Sequence, residues 1–335
     1  MKRTVRLVAF VAGSGLLFPA GAQQTQAIPP RAPLMPPEQN APAGRRLVQI
    51  PLQDCSGLLC VDMISGTGRA LHLVLDLGER NAYLSLQAAK ALGLDTHPLK
   101  DKDGGAIPDV QETTVPGAKL GDLPMGDFPF MVIDTGPDMS QQEPGKAVLG
   151  RSIPGDGTLT YGALQNRLVQ LDIANHLLRV SEPQSDAVPC PHDCSDLITK
   201  HFGRFGPPTI TADGFAVNGQ PIDAQIDTLF TGTMIVYPAA IEKLGLKKQA
   251  KSKDKQVFPY LQNGIELARA DGATQSYRNI SLAQNGPLYF PLRNEPFTNM
   301  QFDATIGTAL LSQGVTTFDF KGNHFWMEVA GASTP

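Results

Sequence analysis

The sequence predicts an all-β chain, mostly strand with short helices, folded as two pseudo-symmetric lobes with a cleft between them. Three observations carry that expectation. The first is an internal repeat. LHLVLDLGERNAYLSLQAAKALGL (Leu71 to Leu94) and DAQIDTLFTGTMIVYPAAIEKLGL (Asp223 to Leu246) each read as an apolar strand ending in Asp, a turn, a second apolar strand and an Ala-rich helix closing in Leu-Gly-Leu. Each is followed by a second matched segment, Ala147 to Val180 and Ala304 to Val329, which reads apolar-apolar-Gly, short helix, strand, Asp-containing turn and final strand. Four matched blocks in one order point to duplication. The second observation is the set of alternating and β-branched runs bounded by turn residues: RLVQLDI, LHLVLDL, FPFMVID, TMIVY and VTTFDF. The third is composition. Gly 33 and Pro 28 in 335 residues disfavour a helical bundle, and 41% hydrophobic against 18% charged residues disfavours wholesale disorder.

Along the chain, Lys2, Arg3 and Arg6 precede the apolar stretch Leu7 to Leu17, and Ala20-Gly21-Ala22 offers a small-x-small cleavage site. Residues 1–22 therefore read as a secretory signal peptide. The apolar run is too short to span a bilayer comfortably, and no Cys follows it to accept a lipid anchor. No later stretch is long and apolar enough to cross, so a soluble, secreted or periplasmic protein is expected. Residues 23–45, rich in Pro, Gln and Ala without periodicity, read as a disordered tether. The net charge of −4 becomes −7 without the basic first segment, which excludes a general nucleic-acid binder. The first lobe is expected over 46–182 and the second over 183–332, with the boundary in the polar, Pro- and Ser-rich segment 181–196.

The four cysteines form two close pairs, Cys55 with Cys60 and Cys190 with Cys194. In an exported chain disulfides are the default, with local pairing expected. The competing reading is a zinc site from Cys190, His192, Cys194 and His201, whose spacing matches no common zinc motif. No metal or cofactor is expected.

The chemistry follows from the repeat. An acidic residue closing an apolar strand is costly to bury, and the duplication supplies two of them, Asp76 and Asp227. If pseudo-symmetric lobes bring the two together, carboxylates about 3 Å apart cannot both ionise and share one proton. One then serves as general base on a water while the other donates a hydrogen bond to a scissile carbonyl.

At this point the sequence resembles the retropepsin-like and pepsin-like aspartic proteases, in the duplicated-lobe form expected of an exported bacterial protein. Their motif is an apolar pair, Asp, Thr or Ser, then Gly, with a downstream apolar-apolar-Gly segment crossing behind the loop. Here the counterparts are Val74-Leu75-Asp76-Leu77-Gly78 with Val148-Leu149-Gly150, and Gln225-Ile226-Asp227-Thr228-Leu229 with Thr305-Ile306-Gly307. The resemblance covers residues 46–330. It implies a bilobal monomer with one site in the cleft, Asp76 and Asp227 catalytic, and Gly78 and Thr228 supporting the loops. Leu77 departs from the hydroxyl residue and Leu229 from the Gly, so each loop is incomplete; Thr228 is expected to find a backbone partner.

Asp134-Thr135-Gly136 matches the bare motif best, but no second strand and helix follow, so it reads as a strand-end turn. No G-x-S-x-G elbow occurs in the mature chain and no H-E-x-x-H helix occurs. His72 reads as structural, and the five Lys within 246–256 read as a solvated loop. The leading expectation is an aspartic endopeptidase acting on a peptide or protein substrate. The alternatives are a silent relative that binds peptides or a partner in its cleft, and a purely structural β-protein.

Overall fold

Strands dominate the computed structural model, which describes residues 46–100, 103–133, 154–189, 194–201, 208–217, 220–232, 234–237, 240, 243–244, 260–261, 265–268, 274–277, 280–282 and 301–329. The architecture is all-β, two-lobed and aspartic-protease-like. The expected signal segment, the tether, the Lys-rich 246–256 loop, Val148-Leu149-Gly150 and the Asp134 turn lie outside the described residues.

The first half contributes β1 (Leu47–Pro51), β2 (Gln53–Cys55), β3 (Leu58–Ile64), β4 (Ala70–Asp76), β5 (Tyr83–Ser85), β6 (His97–Lys100), β7 (Ala106–Leu120), β8 (Leu123–Ile133), β9 (Gly157–Thr160), β10 (Leu168–Asp172) and β11 (Leu177–Ser181). Strands β2 to β9 form one sheet in the order β2-β3-β4-β9-β5-β8-β7-β6, and a further β3–β7 pairing curls it back on itself. The period of two is visible in β4: Leu71, Leu73 and Leu75 enter the core, while Val74 faces away from it. Helix α1 (Leu86–Ala91) starts where the Ser85 side chain accepts the Ala88 amide, and buries Ala88 and Ala89 against the sheet.

The second half contributes β12 (Ser195–His201), β13 (Pro208–Val217), β14 (Gln220–Ile226), β15 (Met234–Val236), β16 (Tyr260–Leu261), β17 (Ile265–Ala268), β18 (Thr274–Tyr277), β19 (Ile280–Leu282), β20 (Ala304–Ile306), the one-turn helix α2 (Thr308–Leu311), β21 (Gly314–Asp319) and β22 (His324–Val329). Three pairings repeat the first lobe: β14 runs parallel to β20 as β4 does to β9, β15 antiparallel to β20 as β5 to β9, and β15 parallel to β19 as β5 to β8.

The halves are joined by a sheet to which both contribute, β1-β11-β10-β21-β22-β12. Its centre is the antiparallel pair β10–β21, with Val169 opposite Phe318 and Gln170 opposite Thr317. The pseudo-twofold axis passes between these two strands. Both are buried along their whole length, so the centre of this sheet is covered on both faces. The turn after each strand is built alike: Asp172 accepts the Asn175 amide, and Asp319 accepts the amides of Lys321 and Gly322.

One part of the repeat register requires correction. The partner of β4 is β9, with Leu75 opposite Leu159, exactly as in kind Ile226 lies opposite Ile306. The counterpart of Asp303-Ala304-Thr305-Ile306 is therefore Asp156-Gly157-Thr158-Leu159, not a segment at Val148. The two aspartates are held identically. Asp156 accepts the His72 amide and donates its own to the His72 carbonyl; Asp303 does the same with Asp223. The apolar-apolar-Gly pattern misleads because Thr160 stands where the second lobe has Gly307. The close approach that Gly307 makes to the Phe230 carbonyl is made in the first lobe two residues later, by Gly162 against the Arg80 carbonyl.

A Cβ at Gly162 would lie 2.0 Å from the Arg80 oxygen, and one at Gly307 would lie 2.2 Å from the Phe230 oxygen. Backbone cannot swing aside as a side chain does. Gly162→Ala and Gly307→Ala are each expected to lower stability by about 3 kcal/mol in urea unfolding, the upper end for overpacking.

Candidate active site

Strands β4 and β14 run into the seam between the lobes; β4 ends there in Asp76, and Asp227 directly follows the last residue of β14. The last four residues of β4 are all buried, and β14 ends in three buried residues. Asp76 is 3% exposed and Asp227 1%. Each is pinned in the same way: Asp76 Oδ1 accepts the Gly78 amide at 3.1 Å, and Asp227 Oδ1 accepts the Leu229 amide at 2.8 Å. Gly78 rests against the partner carboxyl, since a Cβ there would meet Asp227 Cγ at 3.1 Å. The structure thus brings Asp76, Gly78, Asp227 and Thr228 together. Asp76 is held well above the ordinary carboxylate range, first by burial, then by the charge of Asp227 and that of Glu79, against the opposing pull of the Gly78 and Glu79 amides.

The departures from the family loop have identifiable consequences. Thr228, wholly buried, donates its hydroxyl to the Leu75 carbonyl at 2.5 Å and accepts the Leu77 amide at 2.9 Å. The second loop therefore grips the backbone of the first through one hydroxyl. Leu77 returns no such bond and packs instead into the apolar core. Leu229 fills a small apolar cluster with Val74, Leu58 and the Cys55–Cys60 disulfide, so a side chain of the second loop leans on the first lobe.

A second bridge crosses the seam. Thr305 donates to Gln225 Oε1, so its only hydrogen is spent and Tyr237 Oη donates to Thr305. Gln225 Nε2 then donates to Thr209 Oγ1, and Thr209 donates to the Gly78 carbonyl at 2.6 Å. All four side chains are buried, and the chain of bonds runs in one direction from the second lobe into the first loop. The signal for it was a Gln and several Thr inside otherwise apolar strands.

Glu79 was also missed. It is 1% exposed, beside both aspartates, and burial pushes it up to about 7. The signal was available: a charged residue stands at the fourth loop position, where the second lobe has Phe230.

Of the remaining sequence candidates, Cys55 and Cys60 are joined, and Cys194 is disulfide-bonded, which removes it as a zinc thiolate; Cys190 and His192 lie outside the described residues. Cys55, Cys60 and His72 sit close enough to hold an ion, but the disulfide occupies both sulfurs. His72 pairs across the strands with Asp62 at 2.5 Å, which Gln53 also contacts. A cavity of about 970 Å³ opens in the first lobe beside Arg80, Asn81, Phe128 and Gly162, and neither aspartate lines it. Among the described residues no helix is long and apolar enough to cross a membrane.

No protein-family model matches the chain, and no curated protein matches it. Solved structures similar to it include conglutin gamma, a basic 7S globulin from lupine seeds (12% identity, TM-score 0.49, covering 85% of this chain and 96% of that one). Basic 7S globulin from soybean matches at 11% identity and TM-score 0.48, covering 87% and 98%, and edgp at 10% and 0.47, covering 84% and 94%. Nothing about function follows from likenesses of this depth.

Thr228→Val keeps the shape and removes the hydroxyl, leaving the Leu75 carbonyl and Leu77 amide without it. A loss of about 3 kcal/mol in urea unfolding is expected, at the upper end for a buried unsatisfied group, and Thr228→Ser is expected to restore most of it.

Proposed function

We propose that this chain is an exported aspartic-type endopeptidase that hydrolyses peptide bonds with the Asp76–Asp227 pair. The observation that carries the reading is the matched pinning of two buried carboxyls, each by the amide two residues ahead, at the seam of the lobes. Burial and mutual repulsion favour a single negative charge on the pair. The ionised member takes a proton from a water held between the carboxyls, and the protonated member donates to the carbonyl oxygen as the water attacks it. The proton taken from the water is then available to the departing amine. The Gly78 and Leu229 amides keep the inner oxygens fixed while this happens, and Thr228 and Thr209 keep the first loop from drifting.

The substrate is a peptide or protein, with no metal, cofactor or nucleic acid required, and the working unit is a monomer built of lobes 46–182 and 183–332. The Cys55–Cys60 disulfide fits an oxidising, extracytoplasmic compartment, secreted or periplasmic.

A second reading is a catalytically silent cleft that binds peptides or a partner. Leu77 and Leu229 favour it, because the grip between the loops is made from one side only.

The test is hydrolysis of a mixed peptide library at acid and neutral pH. Asp76→Asn and Asp227→Asn are each expected to abolish cleavage, at least 10³-fold on the scale of lost acid–base catalysis, with folding intact. Asp134→Asn is expected to leave turnover unchanged. A wild-type chain that folds and cleaves nothing supports the silent cleft.

A further inference from the structure

The two loops are pseudo-symmetric for three residues and then diverge. Glu79 follows Gly78 in the first, and Phe230 follows Leu229 in the second; both are buried, at 1% and 2% exposure. Packing at this position is thus satisfied by hydrocarbon in one lobe, while the other carries a carboxyl there at the cost of its desolvation. Glu79 Oε1 accepts the Arg80 amide at 2.8 Å, and its Oε2 is buried without a hydrogen-bond partner among the described residues. No ion pair to Glu79 forms among those residues. The groups that face it are the carboxyls of Asp76 and Asp227, the phenol of Tyr83 on β5, and the phenol of Tyr161 just after β9; the Arg80 guanidinium acts on that second phenol. Burial pushes both phenols up, so they stay neutral. The charge of Glu79 therefore falls chiefly on the aspartates.

We propose that Glu79 is a positioning residue for the Asp76–Asp227 pair, a third carboxyl whose negative charge, once formed, holds the pair's shared proton in place to higher pH. This rests on the reading of the two aspartates as a proton-sharing dyad. In mildly acid solution Glu79 is neutral and the cluster carries one negative charge, on the pair. As pH rises past about 7, where Glu79 ionises, its anion opposes loss of the remaining dyad proton. The alkaline limb of activity moves upward as a result, because a like charge disfavours ionisation of its neighbour.

The test compares wild type with Glu79→Gln, Glu79→Asp and Glu79→Phe, the last copying the second lobe. Two readouts are used: the pH profile of peptide hydrolysis, and the titration midpoints of the Asp76 and Asp227 carboxyls in protein with ¹³C-labelled Asp and Glu side chains. Glu79→Gln is expected to lower the alkaline limb and the upper aspartate midpoint by about one pH unit, a typical effect of one nearby charge, while Glu79→Asp keeps both close to wild type. Urea stability gives an independent check. The folded chain keeps a Glu79 proton that the unfolded chain releases, so wild-type stability falls as pH rises from about 5 through 7, and Glu79→Gln flattens that fall. Should Glu79→Gln fail to fold, Glu79→Phe carries the comparison. Unchanged midpoints in the folded variant overturn the inference. Shifted midpoints in a chain that cleaves nothing leave it standing and remove the endopeptidase reading instead.

Discussion

Everything at the seam of this protein answers to one constraint: three carboxyls, Asp76, Asp227 and Glu79, are buried together, each no more than 3% exposed. Full ionisation of such a cluster is prohibitive, so protons stay bound. What the fold supplies in compensation is backbone. The Gly78, Leu229 and Arg80 amides each point at a carboxyl oxygen, and each comes from the loop that bears the carboxyl or follows it directly. Those loops must hold their shape, and the surrounding architecture serves that requirement.

Support comes unequally from the two lobes. The sheet centred on β10 and β21 aligns the lobes about a pseudo-twofold axis, and on symmetry alone each loop would hold the other. In fact Thr228 and Thr209 both belong to the second half and both bond the backbone of the first loop. The first lobe answers with apolar contact, Val74 and the disulfide against Leu229. The second lobe is thus the hydrogen-bonding frame and the first the piece it positions. Asymmetry of this kind lets two like groups titrate apart, which acid–base work at a shared-proton site requires.

Much of this was legible in the sequence, for physical reasons that differ from residue to residue. An Asp closing a run such as LHLVLD is costly unless the fold uses it, so the two aspartates stood out once the repeat was seen. The strands around them were plain because alternation and β-branching mark a half-buried sheet. The crossing strand of the first lobe was misplaced because glycine was taken as its signature. Close approach there is needed by the Arg80 carbonyl, which Gly162 meets, and not by the position equivalent to Gly307. The conserved element between the lobes is an aspartate, Asp156 or Asp303, which closes the turn onto the neighbouring strand. Glu79 escaped notice because the motif was read three residues deep. The Thr209–Gln225–Thr305–Tyr237 chain joins residues as far apart as 96 positions, and no local pattern encodes such a bond.

The central claim is that Asp76 and Asp227 act as one proton-sharing pair that recognises a peptide at its reacting centre. The most direct measurement is calorimetric binding of a peptide carrying a secondary alcohol in place of the scissile carbonyl, at pH 5, to wild type, Asp76→Asn and Asp227→Asn. The account predicts one site per chain in wild type and at least 100-fold weaker binding in either variant, the lower end of the preference for transition-state mimics. Binding that survives both substitutions unchanged, or wild-type protein that folds and does not bind, would contradict it.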